Sequence, residues 1–108
     1  MKNIVKDIDT EVGINFIQKN CSDYFGIKLE DLKATTRKKE IVTASQVAMY
    51  FSKEFTNHSL KSIGYHFGGR DHSTVIHAVH TLNDLMETHA VYRNAINEQR
   101  KKFKMRSY

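Results

Sequence analysis

Apolar positions recur along the chain at steps of three and four, a spacing that predicts helices and not strands. Ile14, Ile17, Cys21 and Phe25 form one face of a first helix, and Gly26 stands where a terminating glycine belongs. Ile27–Leu32 reads as a connector, with room for a single turn at Leu29–Lys33. Thr35 and Thr36 are N-cap candidates for the longest pattern, Arg37–Phe55. There Ile41, Ala44, Val47 or Ala48, Phe51 and Phe55 share a face, so this segment is expected to be the scaffold of the fold. Thr56-Asn57-His58 reads as a loop and Ser59 as the N-cap of a short helix with the stripe Leu60, Ile63, Phe67. Gly68-Gly69 breaks that helix, and Asp71 or Ser73 caps the next one. Its buried face is expected to hold Val75 or Ile76, Val79, Leu82 and Leu85 or Met86. Tyr92, Ala95, Ile96, Gln99 and Phe103 predict a last helix over 90–104. The expected class is therefore all-α, a small helical bundle. Residues 1–8 read as a linker or frayed start, 9–104 as one domain and 105–108 as a flexible tail.

The segment Ser59–Met86 forms one unit. A short helix, a Gly-containing turn and a longer helix make the pattern of a helix-turn-helix. In such motifs the second helix enters the major groove and its first residues meet base edges. Those residues here are Asp71, His72, Ser73 and Thr74, all polar, with the apolar stripe starting only at Val75. A carboxylate can accept from a cytosine amino group, and the hydroxyls can meet bases or phosphates. Spacing alone leaves a second reading open, in which Asp71 is simply an N-cap and its neighbours are solvated surface.

Charge changes the picture because of where it lies. The 108-residue chain carries a formal net charge of +5. Residues 1–32 hold four basic and six acidic groups, whereas residues 33–80 hold seven and three, with five of the six histidines. Such asymmetry is the footprint expected of a nucleic-acid binder. Lys33, Arg37, Lys38 and Lys39 cluster ahead of the longest helix, where they can reach phosphates or a narrow minor groove, or remain a solvated charge run. Lys53 and Lys61 flank the Thr56–Ser59 loop and carry the same two readings. The basic run Arg100, Lys101, Lys102, Lys104 and Arg106 reads as a disordered or solvated tail, with nonspecific attraction to DNA as a second reading.

Other chemistries find little support. One cysteine, Cys21, excludes an internal disulfide, which fits a reducing cytoplasm, and its place in an apolar stripe reads as a buried bystander. His77 and His80 sit three apart, but no H-E-x-x-H or cysteine pair completes a ligand set, so no metal is expected. The chain has no G-x-x-x-x-G-K-[ST] run, so no nucleotide site, cofactor or enzymatic activity is expected of it. It has neither a secretory leader pattern nor an apolar run of about 18 residues.

Residues 54–78, EFTNHSLKSIGYHFGGRDHSTVIHA, closely resemble the signature of the C-terminal DNA-binding domain, domain IV, of the bacterial replication initiator DnaA. TRKKEIVTASQVAMYFSKEFT resembles that family's basic loop and long helix, and CSDYFGIKLEDLK its first helix and connector; the resemblance runs from about Ile8 to Met86. It implies a helical bundle with a Trp-repressor-like helix-turn-helix that recognises a nine-base-pair element, the DnaA box, at the replication origin. By the resemblance Arg37 reaches the minor groove, and Asp71, His72 and Ser73 read bases in the major groove. Gln46, Lys53, Thr56, Lys61 and Thr74 match positions that hold or approach the phosphate backbone; His77, one turn into the recognition helix, is a further candidate on the groove side. Lys38, Lys39 and Arg70 are added as backbone candidates. The implied partners are double-stranded DNA and regulatory proteins of replication; ATP binds a module of the family that this chain lacks. The domain alone is expected to be monomeric, in the cytoplasm at the nucleoid. Three departures stand out: Ser45 replaces a usual arginine, Ser73 a frequent threonine and Lys61 a frequent proline. The competing classes are another helix-turn-helix regulator, a stand-alone relative, a protein-interaction module and a metal protein.

Overall fold

The computed structural model describes residues 13–34 and 38–107, with side chains described to Lys102. Five α-helices and one 3₁₀ turn make up the described residues, with no strand among them: α1 Ile14–Phe25, the 3₁₀ turn Leu29–Lys33, α2 Lys39–Phe55, α3 Leu60–His66, α4 His72–Thr88 and α5 Ala90–Ser107. The predicted order of helices is the observed one. The longest pattern starts at Lys39, with Lys38 as its N-cap, and not at Arg37; the cap candidates Thr35 and Thr36 lie outside the described residues. The last helix continues through Ser107 instead of stopping at 104.

α2 is the scaffold. It packs against α1, the 3₁₀ turn, α3 and α4, while α5 packs on α4. The face of α2 turned to the core carries Ala44, Val47, Ala48 and Phe51, all fully buried. Ile17 and Cys21 from α1, Leu32 from the 3₁₀ turn, Ile63 and Phe67 from α3, Val75 and Leu82 from α4 and Ile96 from α5 close around it. Burying each of the Val, Leu, Ile and Phe side chains among them contributes roughly 1.5–3 kcal/mol. On α4 the buried residue of the predicted alternatives is Val75; Ile76 is exposed, and Ala78 joins the core instead. Burial pushes the Cys21 thiol up to about 12, so it holds no thiolate at neutral pH.

Polar ties fix the ends of the elements. α1 stops at Gly26, whose N–H reaches the Asp23 carbonyl while the Ile27 N–H reaches that of Ser22, at 3.3 and 3.0 Å. Buried Gln18 donates its Nε2 to the His66 carbonyl at 2.9 Å, joining α1 to the end of α3. Arg100 on α5 donates from Nε and Nη2 to the two oxygens of Glu54 on α2, at 2.9 and 3.0 Å, and from Nη2 to the Tyr50 hydroxyl at 2.8 Å. This two-pronged geometry is the strong form of an ion pair.

A close backbone approach lies between α3 and the entry to α4. Gly64 is buried, and its carbonyl accepts from the N–H of Phe67 at 3.1 Å and of Arg70 at 2.8 Å. A Cβ at position 64 would sit 2.3 Å from the Arg70 carbonyl oxygen. Gly64→Ala should therefore destabilise the domain despite the better helix propensity of alanine. The propensity gain is about 1 kcal/mol at most, whereas a backbone clash in a packed site costs roughly 1–3 kcal/mol. Urea unfolding checks the sign, and a midpoint at or above that of the parent would show that the turn can open at little cost.

Candidate nucleic-acid interface

Ser59 caps α3 as its residue type predicts: the hydroxyl accepts the Ser62 N–H at 3.1 Å. The turn that follows needs a backbone that no β-carbon permits. Gly68 adopts φ +89°, and a Cβ there would meet the Lys33 carbonyl oxygen at 2.2 Å. The turn thus rests directly on the end of the 3₁₀ turn, and α4 leaves it with a fixed direction.

α4 begins at His72 with Asp71 as its N-cap. The Asp71 carboxylate accepts the His72 N–H at 2.9 Å on Oδ1 and the Ser73 hydroxyl at 3.2 Å on Oδ2. The His72 Nδ1 stands 3.2 Å from Oδ1. Asp71, His72 and Ser73 are all exposed, while Val75, Ala78 and Leu82 bury the opposite side of the same helix. The two readings left open for Asp71 are compatible. A carboxylate has about four acceptor positions; the His72 N–H and Nδ1 meet Oδ1 and the Ser73 hydroxyl meets Oδ2, which leaves acceptor capacity on Oδ2. The Ser73 hydroxyl, then the His72 backbone N–H, hold the Asp71 carboxyl below the usual carboxylate range.

The phosphate candidates fall into separate groups. Gln46, Arg70, Thr74 and His77 line one cleft of about 80 Å³ between α2 and α4, together with Ala34, Ser45 and apolar residues of both helices. Lys53, Thr56 and Lys61 lie at the junction of α2 and α3, where both lysines are exposed. Lys38 and Lys39 lie exposed at the N-terminus of α2. Arg37, the expected minor-groove residue, lies outside the described residues.

Three of these side chains have internal partners that spacing could not reveal. The Thr56 hydroxyl donates to the Ser52 carbonyl at 2.5 Å and accepts the His58 N–H at 3.3 Å, so it shapes the α2–α3 loop. Arg70 donates from Nη2 to the Ala34 carbonyl at 2.7 Å, and its Nε is buried without a partner. Ser45, where an arginine is usual in the resembled pattern, is buried and donates its hydroxyl to the Leu32 carbonyl at 3.2 Å. It closes the 3₁₀ turn onto α2 instead of projecting a charge. Gly64 and Arg70 escaped the sequence reading as packing residues. The signal for them was weak: a glycine inside a helical pattern, which usually has a packing reason.

His77 and His80 are both exposed. No group of three or more His, Cys, Asp or Glu side chains among the described residues is arranged to hold a metal ion. No helix among them is long and apolar enough to cross a membrane.

A short capped helix, a tight glycine turn and a longer helix with a polar, solvent-facing first turn define a helix-turn-helix domain of the DNA-binding class. Comparison makes the assignment particular. Residues 14–82 match the sequence model of the family described as "Bacterial dnaA protein helix-turn-helix", and the chain belongs to that family. It is similar to the chromosomal replication initiator protein DnaA of Chlorobaculum tepidum, 43% identical over 107 residues, which are 99% of this chain and 22% of that protein. The protein of the same name from Flavobacterium psychrophilum is 41% identical over 105 residues, 97% of this chain and 22% of its own length. That of a Wolbachia from Brugia malayi is 39% identical over 104 residues, 96% and 23%. The chain thus spans about a fifth of the length of these curated relatives.

The lowered Asp71 carboxyl has a pH consequence. A depressed carboxylate contributes stability that is complete above its ordinary range and fades as pH falls through the lowered one. The melting temperature of Asp71→Ala should accordingly lie furthest below that of the parent near neutral pH. The two curves should converge as pH falls through the lowered range of the Asp71 carboxyl. A gap that stays constant across this range would mean that the cap acts through something other than the ionised carboxylate.

Proposed function

We propose that this domain recognises a DnaA-box-type site of nine base pairs at a replication origin and contributes to the initiation and regulation of replication. α4 lies in the major groove, and Arg37 reaches the adjacent minor groove. The observation that carries this reading is the first turn of α4. Asp71, His72 and Ser73 stand together in solvent at the end of a glycine turn, on a helix whose other side is locked into the core by Val75, Ala78 and Leu82.

The chemistry of recognition follows from this turn. The free acceptor positions of Asp71 suit the amino group of cytosine, and the wrong base leaves a desolvated carboxylate without a donor. His72 donates to a purine acceptor or packs on a thymine methyl. Ser73 has a hydroxyl but no methyl, so it offers less to thymine than threonine would. Gln46, Thr74 and His77, at the cleft between α2 and α4, approach the backbone on one side of the helix. Lys53 and Lys61 approach it at the α2–α3 junction, with Lys38 and Lys39 at the start of α2. These contacts set the register on the duplex, and the first turn of α4 reads it. Regulatory proteins of replication are the further partners of this reading. The domain acts in it as a monomer, without a cofactor or a catalytic step of its own, in the bacterial cytoplasm at the nucleoid.

Fluorescence anisotropy at physiological salt tests the reading directly. A duplex carrying a DnaA box should bind at least about tenfold more tightly than a scrambled duplex of equal composition. Equal affinity for the two would reduce the domain to a basic surface that holds DNA without reading it. His72→Ala should lose roughly tenfold on the box. Arg37→Ala should weaken binding most where the flanking minor groove is narrow and A·T-rich; a uniform loss on all duplexes would make Arg37 a phosphate contact. Log affinity should fall with log salt with a slope of roughly −0.9 per phosphate neutralised, and a flat salt dependence would remove the electrostatic half of this account.

A further inference from the structure

Arg70 occupies an unusual place for a basic residue beside a DNA-reading turn. Its guanidinium lies along the protein surface, where Nη2 donates to the exposed Ala34 carbonyl at 2.7 Å while Nε is buried. Its own N–H donates to the Gly64 carbonyl at 2.8 Å, and its carbonyl lies against the bare face of Gly64. Two residues earlier, Gly68 meets the Lys33 carbonyl. The consecutive carbonyls of Lys33 and Ala34 are therefore engaged by the two ends of the helix-turn-helix turn. The residue after Arg70 is the cap of α4.

We propose that Arg70 is a positioning residue for base recognition: it clamps the entry of α4 to the end of the 3₁₀ turn and so sets where Asp71, His72 and Ser73 stand. This rests on the proposed reading of α4 as the recognition helix. Arg70 then adds to the discrimination between sequences and not to the affinity for DNA in general. A phosphate contact predicts the reverse, since phosphate contacts carry no sequence information. The planar fork of arginine suits this role. One guanidinium nitrogen reaches the carbonyl while the stem and Nε stay packed in the cleft between α2 and α4.

The test compares the parent with Arg70→Met, which keeps the packing length, and Arg70→Lys, which keeps the charge. Affinities for a box duplex and a scrambled duplex are measured across a salt series. Amide hydrogen exchange is measured on the free proteins at 33–34 and 71–74. For both variants we expect a roughly tenfold loss on the box, less than twofold on the scrambled duplex, and faster exchange at these amides. Equal losses on both duplexes for Arg70→Met, with a salt slope smaller by about 0.9 and binding restored by Arg70→Lys, would overturn the proposal in favour of a phosphate contact. Parent-like discrimination in Arg70→Met would overturn it as well. If the parent itself does not distinguish the duplexes, the reading of α4 fails. The clamp is then judged by exchange alone, and unchanged protection at 33–34 and 71–74 would overturn it too. Should Arg70→Met fail to fold, Arg70→Lys carries the same comparison of box against scrambled duplex.

Discussion

The polar first turn of α4 depends for its position on a contact with no side chain in it. The Arg70 carbonyl oxygen lies where any β-carbon on residue 64 would have to be, and the Gly64 carbonyl in turn receives the Arg70 N–H. This reciprocal backbone contact brings the turn after α3 close enough for Gly68 to rest on the Lys33 carbonyl. Both contacts act on the few residues before Asp71, so they determine the angle at which α4 leaves the turn. Hydrophobic burial is non-directional and could not have set that angle by itself.

Given that angle, the division of labour along α4 is simple. Val75, Ala78 and Leu82 anchor the helix on α2, and its first turn extends beyond the core into solvent. The helix N-terminus carries a partial positive charge that favours the Asp71 carboxylate. The His72 N–H and Nδ1 meet Oδ1 and the Ser73 hydroxyl meets Oδ2, which leaves acceptor capacity on Oδ2. The same residue can therefore start the helix and face a base.

α5 contributes differently. Its core anchor is Ile96, and the Arg100 bond to Glu54 and Tyr50 fastens it to the far end of α2. Thus a residue that reads as part of a solvated basic run is drawn into the fold. The same happens at Ser45, Thr56 and Arg70, whose polar groups are turned onto protein carbonyls. A basic or hydroxyl-bearing residue in a helix-turn-helix domain has two possible partners, the backbone of the protein and the backbone of DNA. The fold decides which is nearer.

The helices, their order, the Ser59 cap and the glycine break were legible in the sequence, because helical periodicity and capping are local properties; the cap of α4 was narrowed to Asp71 or Ser73, and the fold chose Asp71. So was the family, through the continuous run from Glu54 to Ala78. Local pattern could not separate Val75 from Ile76 as the buried residue, since adjacent positions differ by only 100° around a helix; packing on α2 chose Val75. Nor could it show that Arg70 meets Ala34, 36 residues away, or that Ser45 meets Leu32. Sequence by itself determined which residues are chemically able to read DNA. Tertiary structure decided which of them are already engaged by the protein, because that depends on distances between elements remote in the chain.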